Sequence, residues 1–120
     1  MIIDVHTHIF TSDIRQNREK FFPSESAFKL LYQSPKARLI GGQKLISAMD
    51  ENRVDKAVVF GFPWTDIELA KTHNDYIMES VQKYPGRIIG LGCFDPASPG
   101  AAIEAARCLT GGLGDRKSVV

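Results

Sequence analysis

Apolar positions along this chain fall into three short runs, and longer stretches of helical spacing separate them. Residues 1–5, Met-Ile-Ile-Asp-Val, are short, apolar and β-branched, which predicts a buried strand. Residues 56–61, around Ala57-Val58-Val59-Phe60, predict a second strand, and residues 87–94, rich in Ile and Gly, a third. Leu45, Ile46 and Met49 share one face of a helix expected over residues 43–52. Thr65 followed three residues later by Glu68 has the form of a capping box. The helix it opens should reach about Tyr84, with Ile67, Ala70, Ile77 and Val81 at helical spacing, before Pro85-Gly86 stops it. Ser98 as N-cap and Pro99 in the first turn predict a last helix. Its apolar side is Ile103, Ala106 and Leu109, and Gly111-Gly112 ends it. Apolar strands alternating with amphipathic helices argue for an α/β fold with helices packed on a parallel sheet.

Residues 9–42 interrupt this rhythm. Their periodicity is weak, with one short helix expected over residues 25–32 between Pro23 and Pro35. A connection of this length inside a compact domain is often a lid or a wall of a site.

Composition narrows the class. The 120 residues are 43% hydrophobic and 24% charged, a soluble globular balance that allows a sizeable core. A formal charge of +1 gives no reason to expect nucleic acid or an acidic membrane as partner. No apolar run is long enough to span a bilayer, and the first residues lack the basic and apolar regions of an export signal. Cys93 and Cys108 are therefore expected to be reduced thiols of a cytoplasmic protein.

The chemistry lies in Asp4, His6 and His8. Strand alternation puts positions 4, 6 and 8 on one face, with Ile3 and Val5 on the other under helices. Two imidazoles on one strand face can bind one metal ion, and imidazole nitrogen suits zinc, iron or nickel. The pair ends its strand, where α/β folds place their sites. Asp4, one step deeper, could hydrogen-bond a ligand imidazole and fix its tautomer. Two ligands alone fall short of a catalytic metal site, which needs three or more.

The same residues carry a family resemblance. Asp4-Val5-His6-Thr7-His8 resembles the first-strand signature of the amidohydrolase superfamily, in particular the amidohydrolase-2 branch of aminocarboxymuconate-semialdehyde decarboxylase-like, metal-dependent hydrolases. Residues 49–59 resemble that family's first helix and second strand. His73-Asn74-Asp75-Tyr76-Ile77 and residues 84–90 resemble its second helix and third strand, and Phe94-Asp95-Pro96 the turn that follows.

The resemblance implies a metal-dependent (β/α)8 TIM barrel with His6 and His8 as the first two ligands of a divalent metal, zinc being expected first. The family's other ligands and its catalytic acid/base come from later strands and are expected beyond residue 120. A whole barrel takes about 250 residues. Residues 1–114 are thus expected to form about three βα units, an incomplete, N-terminal portion of the barrel. Residues 115–120, Asp-Arg-Lys-Ser-Val-Val, are expected to be a non-native tail, because they match one reading frame of a widely used sequencing adaptor.

For the full-length parent the implied activity is hydrolysis of a small carbonyl-containing substrate, an amide, lactone or similar, by metal-activated water. The alternative in the same barrel is non-oxidative decarboxylation of a small carboxylated compound. A third reading is an inactive fragment with weak metal affinity, and no turnover is expected from these 120 residues alone. The expected partner is a small-molecule substrate, with homo-oligomeric assembly of the parent an open alternative. Phe10, Phe62, Trp64 and Phe94 follow strand ends. Of these, Phe10 and above all Trp64 are candidates for the wall of a substrate pocket. Their ordinary reading is loop anchoring. His73 is expected at the surface or half-buried.

Overall fold

The computed structural model describes residues 1–117, with side chains described to residue 113. Ten elements follow one another. They are β1 (Ile3–His8), α1 (Ser12–Gln16), a 3₁₀ turn (Arg18–Phe21), α2 (Ser26–Tyr32), α3 (Gly42–Glu51), β2 (Lys56–Phe60), α4 (Ile67–Lys83), β3 (Ile88–Phe94), α5 (Ala101–Thr110) and β4 (Gly114–Lys117). The four strands form one parallel sheet in the order β1-β2-β3-β4. The α/β class and the parallel sheet expected from the pattern are therefore present. Residues 114–117 pair with β3 as a fourth strand, and residues 118–120 of the expected tail lie outside the described residues.

Helices cover one face of the sheet. Ala57 and Val59 of β2 and Ile88 of β3 pack with Leu45 and Met49 of α3, Ile77 of α4 and Cys108 of α5. Full burial of such side chains contributes about 1.5–3 kcal/mol each. A doubly wound sheet places helices on both faces. Here α3, α4 and α5 all lie on one, and the opposite face carries Lys56, Val58, Phe60, Ile89 and Leu91.

Several local expectations change. Ile3 and Val5 are exposed, because β1 is an edge strand and Ile3 pairs with Lys56 on the open face. The cap of α4 is Asp66, whose carboxylate accepts from the Glu68 amide; Thr65 instead donates its amide and hydroxyl to Glu25. Helix α5 starts after Gly100, whose φ of 86° suits a residue without Cβ. Its buried face is Ala101, Glu104 and Cys108, while Ile103, Ala106 and Leu109 are exposed.

Residues 9–42 build a second core. Phe10, Ile14, Phe28, Phe62, Trp64 and Ala70 pack together, with Phe21, Phe22 and Tyr32 around them. Aromatic rings contact one another throughout; Phe28 and Trp64, for example, lie 4.8 Å apart. Arg18 fastens the segment by donating to the carbonyls of Tyr32 and Ala37. The buried Glu25 carboxylate accepts from the Thr65 amide (2.8 Å), the Thr65 hydroxyl (2.9 Å) and the Asp66 amide (3.2 Å), tying the segment to the start of α4.

Candidate metal site

Four steps along β1 from Asp4 to His8 match only three along β2, from Ala57 to Phe60. This one-residue bulge changes the phase of the strand, as bulges beside sites commonly do. Asp4 is paired with Ala57, a residue of the helix-side core, whereas His8 is paired with Phe60 on the open face. Simple alternation therefore fails: Asp4 is out of phase with His8. The Asp4 carboxylate accepts from the backbone amide of His6 at 3.1 Å and so braces the bulge.

His6 and His8 come together despite the bulge. Their rings are edge-on, with centroids 5.1 Å apart, and Phe60 lies under both at 4.8 and 4.5 Å. His6 is exposed and His8 half-buried. The pair sits at the carboxyl end of β1, next to the carboxyl end of β2.

The hydrogen bond of His8 decides its tautomer. Nδ1 lies 2.6 Å from the carbonyl oxygen of Gly61. A carbonyl only accepts, so Nδ1 carries the proton and the lone pair resides on Nε2. A metal-binding histidine usually has this arrangement, its second nitrogen donating to a carbonyl or carboxylate. The task assigned to Asp4 from the sequence is thus performed for His8 by a backbone carbonyl. The donor set fits a divalent cation in kind. Among the described residues, no group of three or more His, Cys, Asp or Glu side chains is placed to hold a metal.

The two candidate pocket residues are enclosed. Phe10 and Trp64 are fully buried in the aromatic core, so they offer no surface to a substrate in this arrangement. The packing of residues 9–42 over the turn after β2 covers them.

His73 corrects the sequence reading most sharply. It lies on α4 and is fully buried. The Trp64 indole donates to its Nδ1 at 2.8 Å, and its Nε2 donates to the carbonyl of Ile9 at 2.6 Å. Burial lowers its pKa from the usual 6.5 to about 4, against the Ile9 hydrogen bond, which raises it. Asn74 beside it is also buried. Its amide bonds both backbone groups of Cys93 and the carboxylate of Glu104. Burial pushes the Glu104 carboxyl up, but hydrogen bonds from Arg107 and Asn74 outweigh this and hold it below its ordinary value. This network fixes the end of β3 to α4 and α5. A polar His-Asn pair at a helical position otherwise expected to be apolar was the available sequence signal.

No family model matches the sequence, and no curated protein does. Solved structures do. One is a probable 2-pyrone-4,6-dicarboxylic acid hydrolase from Acinetobacter baumannii with citric acid bound. It is 19% identical with a TM-score of 0.52, over 96% of this chain and 36% of that one. Another is the 4-oxalomesaconate hydratase of Rhodopseudomonas palustris, also 19% identical, with a TM-score of 0.60, over 96% of this chain and 40% of that one. The likeness is one of fold. The chain thus has the fold of part of these enzymes and spans well under half their length. No helix among the described residues is long and apolar enough to cross a membrane.

Proposed function

We propose that this chain contributes the first metal ligands, His6 and His8, to a (β/α) barrel hydrolase of the amidohydrolase-2 type. The observation that carries the reading is the Nδ1 hydrogen bond from His8 to Gly61, which leaves the lone pair on Nε2 of a ring whose centroid is 5.1 Å from that of His6, at the carboxyl end of β1. Helices on one sheet face only, and likeness to two barrel-sized enzymes, support the barrel. A bound divalent ion, zinc being our first choice, would activate water and polarise a carbonyl. In this reading His8 holds its ring fixed through Gly61, His6 adds the second nitrogen, and Phe60 shields one side of both rings from water. The remaining ligands and the acid/base would come from outside these residues.

The hydrolase reading is favoured over decarboxylation because both structural neighbours are named for the addition of water, one as a hydrolase and one as a hydratase. Both names also carry small polycarboxylates. A small carbonyl-bearing carboxylate is accordingly the substrate class proposed for the complete enzyme.

Calorimetric titration of zinc and of manganese into the chain and into a His6→Ala/His8→Ala double variant tests the metal reading. The double variant should lose at least tenfold in affinity, since loss of even a ligand's outer-shell partner costs about 10–100-fold. Equal affinity in both proteins would remove it.

A further inference from the structure

We propose that His73 is a positioning residue, which from α4 staples the turns after β1 and β2 together so that the Gly61 carbonyl holds His8 in its Nδ1–H form. The proposal rests on the reading of His6 and His8 as ligands only for its functional consequence; the tautomer stands independently of it.

The contacts of His73 all fall on the two backbone segments that flank the His8–Gly61 hydrogen bond. Its Nε2 donates to the carbonyl of Ile9, the residue after His8. Its ring lies flush against Gly61, where a Cβ would stand 2.8 Å from the ring Cγ. Contacts under 3.0 Å are essentially never made by real Cβ atoms, so any side chain at 61 must displace the ring or the turn. Trp64, three residues beyond Gly61, donates its indole N–H to Nδ1.

The chemistry of these partners fixes both tautomers. Indole N–H can only donate, so His73 Nδ1 must accept. His73 then has its proton on Nε2, the nitrogen that faces the Ile9 carbonyl. The same logic protonates His8 on Nδ1 against the Gly61 carbonyl. The proton order runs from the Trp64 indole through His73 to Ile9, and next to it from His8 to Gly61. A histidine that only filled core space would not be required to have its two nitrogens on two different loops.

Proton-detected ¹⁵N correlation of the metal-free chain reads each histidine tautomer directly. The wild-type His8 should show protonated Nδ1. His73→Phe keeps the ring volume but neither nitrogen, and should move His8 towards the Nε2–H form and weaken zinc binding by about tenfold. His73→Gln, which can still donate to Ile9 and accept from Trp64, should retain most of both properties. Trp64→Phe removes only the indole donor and should produce a smaller change of the same sign, so it carries the test if His73→Phe does not fold. A wild-type His8 protonated on Nε2 would overturn the proposal, and so would a tautomer that none of these variants moves. A tautomer that responds as expected in a chain that takes up no zinc would support the positioning role while removing the metal reading.

Discussion

A fully buried imidazole with an indole on one nitrogen and a carbonyl on the other is complete only when neutral. Protonating His73 would set an N–H against the Trp64 N–H and place a charge in an aromatic core. Its pKa is lowered in the folded state, to about 4 from 6.5, so the unfolded chain binds more protons between those values. Its contribution is fully present above pH 6.5 and is lost as the pH falls towards 4, at about 1.4 kcal/mol per pH unit and roughly 3 kcal/mol in all. Urea unfolding of the wild type between pH 5 and 6.5 should therefore show stability rising with pH. The slope should be nearly absent in His73→Gln, and an equal slope in that variant would refute the assignment. That His6 and His8 lie close together was legible from their spacing. The face of Asp4 was not, because a bulge leaves no mark in a pattern of alternating residues. The role of His73 was hidden too, since its partners are sixty-odd and nine residues away.

At the level of elements, the segment between β1 and α3 is held by a carboxylate that its own sequence gives no reason to single out. Glu25 takes three hydrogen bonds at the start of α4, two of them from backbone amides near a helix terminus where negative charge is favourable. Glu25→Ala would leave part-buried donors without their acceptor and should cost about 2–3 kcal/mol. A lowered urea midpoint, with faster proteolysis within residues 12–40, would be the signature; unchanged cleavage would mean that the aromatic core holds the segment without the latch. The first three strands and the long helices could be read from periodicity to within a few residues; β4 could not, because residues 114–117 carry no apolar run. The orientation of α5 could not. Its more apolar stripe, Ile103 and Leu109, is exposed, while Glu104 is drawn inward by Asn74 and Arg107. Hydropathy ranks side chains one at a time and does not see a carboxylate partnered within its own helix by Arg107 and from another helix by Asn74.

Across the molecule, helices shield one side of the sheet and leave the other open. Val5 is 71% exposed, with Ile3 and Ile89 of the sheet also exposed. An edge strand with apolar side chains invites pairing with another chain. Sedimentation should therefore show association that grows with concentration, and Val5→Lys, which puts a charge on the edge, should reduce it. A chain monomeric at high concentration would contradict this. The parallel class was legible because helical segments separate each strand from the next, but the bare face was not, since periodicity tells which residues are apolar and not which layer is present to cover them. The sheet order β1-β2-β3-β4 has a further consequence in time. Each of β2, β3 and β4 pairs with the strand made just before it, so during synthesis each finds a partner already translated. The two imidazoles and the Gly61 carbonyl are translated ahead of the helix that brings His73 to lock them.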